Sequence, residues 1–568
     1  MRFVSIFFMK RNYYLFLVLI FSALNTSAQF TKYIVRFKDK SGTPFTIDNP
    51  SAYLSQKAIE RRKKQNIAID ETDLPITPRY IDSIRLSGTV SVIDQSKWLN
   101  QICISTTDAN ALAKINNLPF VIASRPLKLP VGIHTPLDNK FNEQVNNITT
   151  PVVVNNVFDY YSYGNSYSQI HIHEGEYLHD KGFHGEGMSV AILDAGFYHY
   201  LSLPAFDSVR NNNQIKETYD FVTNDASVDE DYFHGMQVFS VMAGNIPDQL
   251  VGSSPKANYY LYRTEDVSSE SPVEEQYWAV AAERADSAGV DVISTSLGYN
   301  QFDNPVFNYT YADMNGNTTI IARAADFAAK KGMIVVVAAG NEGNKPWHYI
   351  TTPADADSVI AVGAVDAFGN VGNFSSYGPS SDGRIKPDVT SVGVGTALSS
   401  TTGTIGSSNG TSFATPNLAG LITCLWQAFP EFTNMEIIQA VEKSSSIYNI
   451  PDDRLGYGIP NFRIAYDDLA QQRALKNINT ILGTKTIKVF PNPITNYFNV
   501  AIKPQHTAAG LFHLYDASGK LIFARQLPLQ QGQPQIMRFD GLSPLSRGVY
   551  FLKFSDGQSK ESFKLVKL

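Results

Sequence analysis

The segment Asn409-Gly410-Thr411-Ser412-Phe413-Ala414-Thr415-Pro416-Asn417 follows a Gly-rich run, residues 393–410, and leads into the apolar series Leu418, Leu421, Ile422 and Leu425. That spacing predicts a helix beginning beside Ser412. Free backbone N–H groups and the positive end of the helix dipole favour negative charge at such a start. A serine held there is placed to attack a carbonyl while neighbouring N–H groups stabilise the oxyanion. A Thr or Ser at a helix start also serves as a plain N-cap. The surrounding chain decides between the two.

Upstream, short apolar runs recur at 188–193, 257–262, 291–297, 333–339 and 359–365. Helical patterns over 234–244, 273–288 and 319–331 separate them, and a further helix is expected over 434–443. Apolar strands alternating with helices predict an α/β fold, a parallel sheet with helices on both faces. In such sheets chemistry gathers at the C-terminal ends of the strands. Asp194, Ser296 and Asn341 each fall at or just beyond such an end.

Cutting a peptide bond with serine takes a base for the hydroxyl proton, a carboxylate to orient that base, and donors for the oxyanion. His234 opens a helical run behind the acidic segment 225–231, and Asp194 closes a buried strand. Asn341, in Ala338-Ala339-Gly340-Asn341, carries an amide able to donate to an oxyanion.

The order of these motifs along one chain resembles the subtilisin-like serine proteases, over roughly residues 169–470. The resemblance implies Ser412 as nucleophile, His234 as general base and acid, and Asp194 as the group that orients the imidazole. Asn341, with the Ser412 N–H, would form the oxyanion hole. Ser296, Leu297 and Gly298 would pair with an extended substrate. With Ala338, Ala339 and Gly340 they would wall the pocket for the residue before the cleaved bond. Two departures stand out. Ala195 follows the Asp where the family has Ser or Thr, and Met236, Gln237, Phe239 and Ser240 replace the usual residues after His234.

Glu265, Asp266, Glu270, Glu274 and Glu275, ending in Trp278, resemble a subgroup of exported bacterial subtilases. Such acids either favour basic substrate residues or form a solvated helix start that suits the dipole. His171, His173, Glu174, Glu176 and His179 invite a metal reading, but alternation on a strand accounts for the histidine pair and no metal site is expected.

The 568 residues suggest three or four folded units. Residues 1–28 read as a signal peptide: Lys10 and Arg11 precede an apolar run over 13–24, and Thr26-Ser27-Ala28 offers a cleavage site. A second apolar patch before those charges suggests Met9 as the initiator. Residues 29–130 read as a small α+β unit that resembles the inhibitory propeptides of subtilases. Its basic run, Arg61 to Lys64, reads as a solvated helix face. Residues 131–168 read as a linker and 169–478 as the catalytic domain, with a polar stretch at 471–479 leading out of it. Residues 479–568 show strands at 486–490, 497–502, 511–515, 521–525 and 549–554, a small β-sandwich. There Lys488-Val489-Phe490-Pro491-Asn492-Pro493, with Gly548-Val549-Tyr550, resembles type IX secretion sorting domains. That implies passage through the periplasm, then release or attachment at the outer surface.

The net charge of −6 gives no sign of nucleic-acid binding. Cys103 and Cys424 read as separate buried thiols. The resulting expectation is a secreted serine endopeptidase made as a zymogen. Its partners would be protein or peptide substrates, its own propeptide as intramolecular inhibitor, and the type IX secretion machinery. No cofactor is needed for the chemistry. Calcium is frequent in the resembled family, but no ligand-spaced loop is evident. The competing readings are a catalytically silent subtilase fold acting as a surface binding module, and a serine esterase on the same scaffold.

Overall fold

The computed structural model describes residues 31–128, 141, 144–147, 158–229 and 232–568. The leader reading over 1–28 lies outside them, as does most of the front half of the linker stretch. The chain divides into two compact units between Ala465 and Tyr466.

The first unit opens with β1 (Lys32–Phe37), α1 (Gln56–Lys64), α2 (Pro78–Arg85), β2 (Ser91–Ser96), β3 (Gln101–Ser105), α3 (Ala109–Asn116) and β4 (Val121–Lys128). The strands pair antiparallel in the order β2-β3-β1-β4. Side chains alternate across a strand, and here both faces are apolar. Tyr33, Val35, Phe37, Ile102 and Ile104 pack with Ile81, Ile84 and Ile115 of α2 and α3. Ile34, Cys103 and Leu127 point the other way, into the core that holds Tyr277, Trp278 and Ala281. Asp108 caps α3 by accepting from the N–H groups of Asn110 and Ala111.

Within the 131–168 stretch, Phe141 is buried, Asn146–Asn147 form strand β5, and Tyr167–His171 form helix α4. His171 thus ends a helix, and His173 follows in the turn beyond it. The strand expected from the alternation does not form, because two apolar–polar repeats are too few to outweigh the turn at Glu174, whose φ is +48°.

The main sheet holds β6 (Ser189–Asp194), β7 (Ile215–Asp220), β8 (Asn258–Arg263), β9 (Val292–Thr295), β10 (Ile334–Ala338), β11 (Ile360–Val365) and β12 (Val389–Val392). The crossovers include α5 (His234–Ala243), α6 (Val273–Ala288) and α7 (Ile320–Lys330). Strand order is β12-β11-β10-β9-β6-β8-β7, every pairing parallel. β6, β9, β10 and β11 are buried at every residue, as strands covered on both faces must be. The chain adds β7 and β8 on one side of β6 and β9 on the other. A crevice therefore opens at the carboxyl ends of β6 and β9. An antiparallel pair, β13 (Thr396–Ser399) and β14 (Ile405–Ser408), then delivers the chain to α8 (Thr411–Ala428). α8 is buried along almost its whole length and packs on β9, β10, β11 and α5.

The small sheet docks through charges as well as apolar contacts. Arg61 and Arg62 are buried, at 6% and 1% exposure, rather than solvated. Arg62 bonds Asp286 at 2.7 Å and Asp73 at 2.8 Å, Arg61 also bonds Asp286, and Lys331 bonds Asp73 at 2.8 Å. The run reads as solvated in sequence because its partner Asp286 lies 224 residues from Arg62.

After α9 (Asn434–Lys443), helix α10 (Phe462–Leu482) spans the division between the units. Residues 471–479, the polar stretch that leads out of the catalytic domain, are helical. The second unit continues with β15 (Ile487–Phe490), β16 (Phe498–Ile502), β17 (Ala508–Asp516), β18 (Leu521–Leu529), β19 (Gln535–Phe539), β20 (Gly548–Ser555) and β21 (Lys560–Lys567). Its two antiparallel sheets, β15-β16-β19 and β18-β17-β20-β21, share a core of Phe498, Phe512, Leu514, Phe539 and Leu552. This is the small β-sandwich expected. β19 and β21 were not legible in sequence, since neither has a buried apolar residue at every second position. Both cysteines are free and buried. Among the described residues no helix is long and apolar enough to cross a membrane.

Candidate active site

Asp194 is the last residue of β6 and His234 the first of α5. The imidazole Nδ1 lies 2.7 Å from Asp194 Oδ1, and both side chains are fully buried. The same carboxylate oxygen accepts the N–H of Ala195 at 2.7 Å. That bond comes from the backbone, so a side-chain hydroxyl at 195 is not needed to make it. The close approach of α5 to β6 depends on Gly235. A Cβ there would sit 2.5 Å from the Gly196 carbonyl oxygen and 2.9 Å from Asp194 Cβ.

The unusual residues after His234 are absorbed by packing. Phe239 stacks on Phe206 at 4.6 Å and meets Tyr259 edge-on at 4.9 Å. Ser240 accepts from the Ser399 N–H at 2.9 Å and donates to the Gln237 carbonyl at 2.7 Å.

Ser412 is the second residue of α8 and 5% exposed. The hydroxyl of Ser296, just past β9, donates to the Ser412 carbonyl at 2.7 Å. Asn341 lies just past β10. Its Oδ1 accepts from the Thr411 N–H at 2.9 Å and the Thr411 hydroxyl at 3.0 Å. The oxygen is thereby committed, and the amide nitrogen is the donor end. The Gly340 N–H closes the arrangement on Thr411 Oγ1 at 3.3 Å. Sequence reading missed this role for Thr411. The signal was present as the Thr of Gly-Thr-Ser.

Ser412, Asn341, Ser296, Leu297, Gly298, Ala338 and Gly340 line one cleft of about 1160 Å³. Ala339 does not, because its side chain lies in the hydrophobic core. His234 is set behind the cleft, between the rings of Phe141 at 4.5 Å and Phe413 at 5.9 Å. Phe141 itself lines the cleft. Just beyond it, β5 pairs antiparallel with β14 (Asn147 opposite Gly406, Asn146 opposite Ser407), and the Ser408 hydroxyl donates to the Gln144 carbonyl at 2.9 Å. A lone Phe in a polar, weakly periodic stretch gave no warning of this.

The histidines considered for metal are engaged singly. His171 pairs with Glu176 at 2.6 Å, His173 lies between the Pro460 carbonyl and the Ser391 hydroxyl, and His179 lies between Tyr163 and the Ser253 carbonyl. Burial pulls His173 down to about 4 and His179 to about 3, so both are neutral at pH 7. Among the described residues no group of three or more His, Cys, Asp or Glu side chains is arranged to hold a metal ion.

The family model for the subtilase family matches residues 185–458. The thermophilic serine proteinase of Bacillus sp. (strain AK1) is 30% identical over 366 residues, 63% of this chain and 76% of that protein. The chain belongs to the subtilase family. Flanking this subtilase domain, the peptidase S8 propeptide domain of Bacteroidota matches residues 32–146, and the secretion system C-terminal sorting domain matches 488–568. Subtilisin amylosacchariticus of Bacillus subtilis subsp. amylosacchariticus is 30% identical over 274 residues, 47% of this chain, and the match spans 63% of that relative's length. Among solved structures, MycP1 with its N-terminal propeptide removed aligns at TM-score 0.43 and 22% identity, over 53% of this chain and 96% of that one. The subtilase is thus made with a propeptide domain and a sorting domain that directs secretion.

Proposed function

We propose that this subtilase is a secreted serine endopeptidase, made as a zymogen, that hydrolyses peptide bonds of protein substrates through an acyl-enzyme. The observation that carries the reading is the buried Asp194–His234 pair behind a cleft lined by Ser412 and Asn341. In the proposed reaction Nδ1–H of His234 donates to Asp194, which leaves Nε2 with a lone pair to take the Ser412 proton as Oγ attacks the carbonyl carbon. The oxyanion is met by the Asn341 amide N–H and the Ser412 backbone N–H. The C–N bond breaks as the imidazolium returns the proton to the leaving amine. Water then releases the acyl group by the same steps in reverse.

Ser296, Leu297 and Gly298, with Ala338 and Gly340, are the proposed substrate wall. Residues 29–130 are proposed to inhibit the enzyme until they are cut away. The docked small sheet supports that role, and Phe141 against His234 and the β5–β14 pairing carry it into the stretch that follows, as far as the propeptide match reaches. Transit through the periplasm is proposed from the C-terminal sorting domain.

The test is labelling with a fluorophosphonate probe. The processed wild type is expected to label and Ser412→Ala not to. A processed, folded wild type that takes no label defeats the reading in favour of a silent binding module.

A further inference from the structure

Most carboxylates of the acidic run are taken up by the fold. Glu274 accepts from the N–H groups of Asp266 at 2.8 Å and Ser271 at 3.1 Å. Glu275 accepts from the Tyr309 hydroxyl and the Ile321 N–H, and Glu265 from the Tyr299 hydroxyl. Asp266 is different. Its Oδ2 holds the ammonium of Lys128 at 2.8 Å, and the Ser269 hydroxyl accepts from that ammonium at 2.6 Å. The Lys128 and Asp266 side chains are only 13% and 20% exposed. Burial pushes the Asp266 carboxyl up, but Lys128 and the hydroxyls of Ser268 and Ser269 outweigh it and hold it at about 2.

Asp266 and Ser269 line the same cleft as Ser412. Lys128 ends β4, whereas Gln144 and Asn146, further along the chain, lie on β14, which leads into Ser412. Along the chain, the residue held by Asp266 thus precedes the residues that lie on β14.

We propose that Asp266 and Ser269 form a subsite for a basic side chain of the substrate, on the N-terminal side of the cleaved bond, and that Lys128 occupies it until the propeptide leaves. The inference rests on the protease reading of the cleft. A lysine ammonium matches the pair in charge and donors, reaching a carboxylate and a hydroxyl at once. A glutamate in the same position would face Asp266 as a like charge.

The experiment uses the processed enzyme and a set of peptides in which one Lys, norleucine or Glu is moved through the positions upstream of the cleaved bond. One upstream position is expected to favour Lys over norleucine by about tenfold in kcat/KM, with Glu below norleucine. In Asp266→Asn that Lys-to-norleucine ratio is expected to fall to about 1, and in Asp266→Lys the preference should turn to Glu. A wild type that cleaves the set without discrimination at any upstream position overturns the subsite, whatever the variants do. So does a folded Asp266→Asn that keeps the ratio. Failure to cleave any peptide, together with no fluorophosphonate labelling, instead removes the protease reading on which the subsite rests.

Discussion

The backbone N–H of Thr411 donates to the side-chain oxygen of Asn341 at 2.9 Å, with the Thr411 hydroxyl 3.0 Å from the same atom. Asn341 is thereby tied to the helical turn that carries Ser412, and its amide nitrogen is turned to the donor role. Replacing Asn341 by Ala is expected to cost about 2.7–4 kcal/mol of transition-state stabilisation. Thr411→Val keeps the backbone bond and loses only the hydroxyl, so a smaller drop of about tenfold is expected. Steady-state kinetics should place both losses in kcat rather than KM. An equal rise in KM for both variants would mean that they act on substrate binding.

Gly235 sits where a Cβ would meet the Gly196 carbonyl oxygen at 2.5 Å. Gly235→Ala must therefore push α5 away from β6 and move His234 relative to Asp194. A displacement near 1 Å in a catalytic group costs about 100-fold. Loss of activity with far-ultraviolet circular dichroism unchanged is the expected result. Wild-type kcat in this variant would show that the approach of the two elements is slack.

Asp286 is fully buried between Arg61 and Arg62. Asp286→Ala leaves two buried guanidinium groups without that partner, a loss of about 3–5 kcal/mol. Denaturant unfolding of the uncut chain, held intact by Ser412→Ala, should lose stability by that amount. Replacing Arg85, an exposed member of the same region, should leave it within about 0.5 kcal/mol.

Glu283 accepts from the Ser96 hydroxyl at 2.6 Å and from the N–H groups of Lys97 and Trp98 at 2.8 and 3.0 Å. Burial outweighs these bonds and the Lys97 charge, raising its carboxyl to about 7. The folded chain then holds more protons on this group than the unfolded chain, whose glutamate titrates near about 4.3. Its contribution to stability is thus lost as pH rises from about 4.3 through about 7. Glu283→Gln does not titrate. In thermal melts of the Ser412→Ala chain, the variant is expected to gain on its parent steadily from pH 5 to pH 7. A gap that stays constant, or closes, would contradict the raised value.

How much of this was legible in the chain depends on the range of the signal. The runs at 188–193 and 333–339 are apolar at nearly every position, and β6 and β10 form there because such runs satisfy a doubly covered sheet. Asp194, Ser296 and Asn341 could be placed because a strand end is local. The fate of Arg61 and Arg62 was not legible, since a charged helix face looks the same in sequence whether water or a distant carboxylate faces it. Helix α10 went unread over 471–479 because its residues there are mostly exposed, so no apolar stripe marked it.

By itself the sequence determined the element order, the parallel sheet, and which residue types stand at the strand ends and at the start of α8, because propensity and periodicity act over a few neighbours. Only the tertiary structure decided that Phe141 covers His234, that Thr411 holds Asn341, and that Asp266 of the acidic run receives a lysine from another part of the chain. Those are matters of distance between residues far apart in sequence, and burial and charge fix them only once the sheet has brought their elements together.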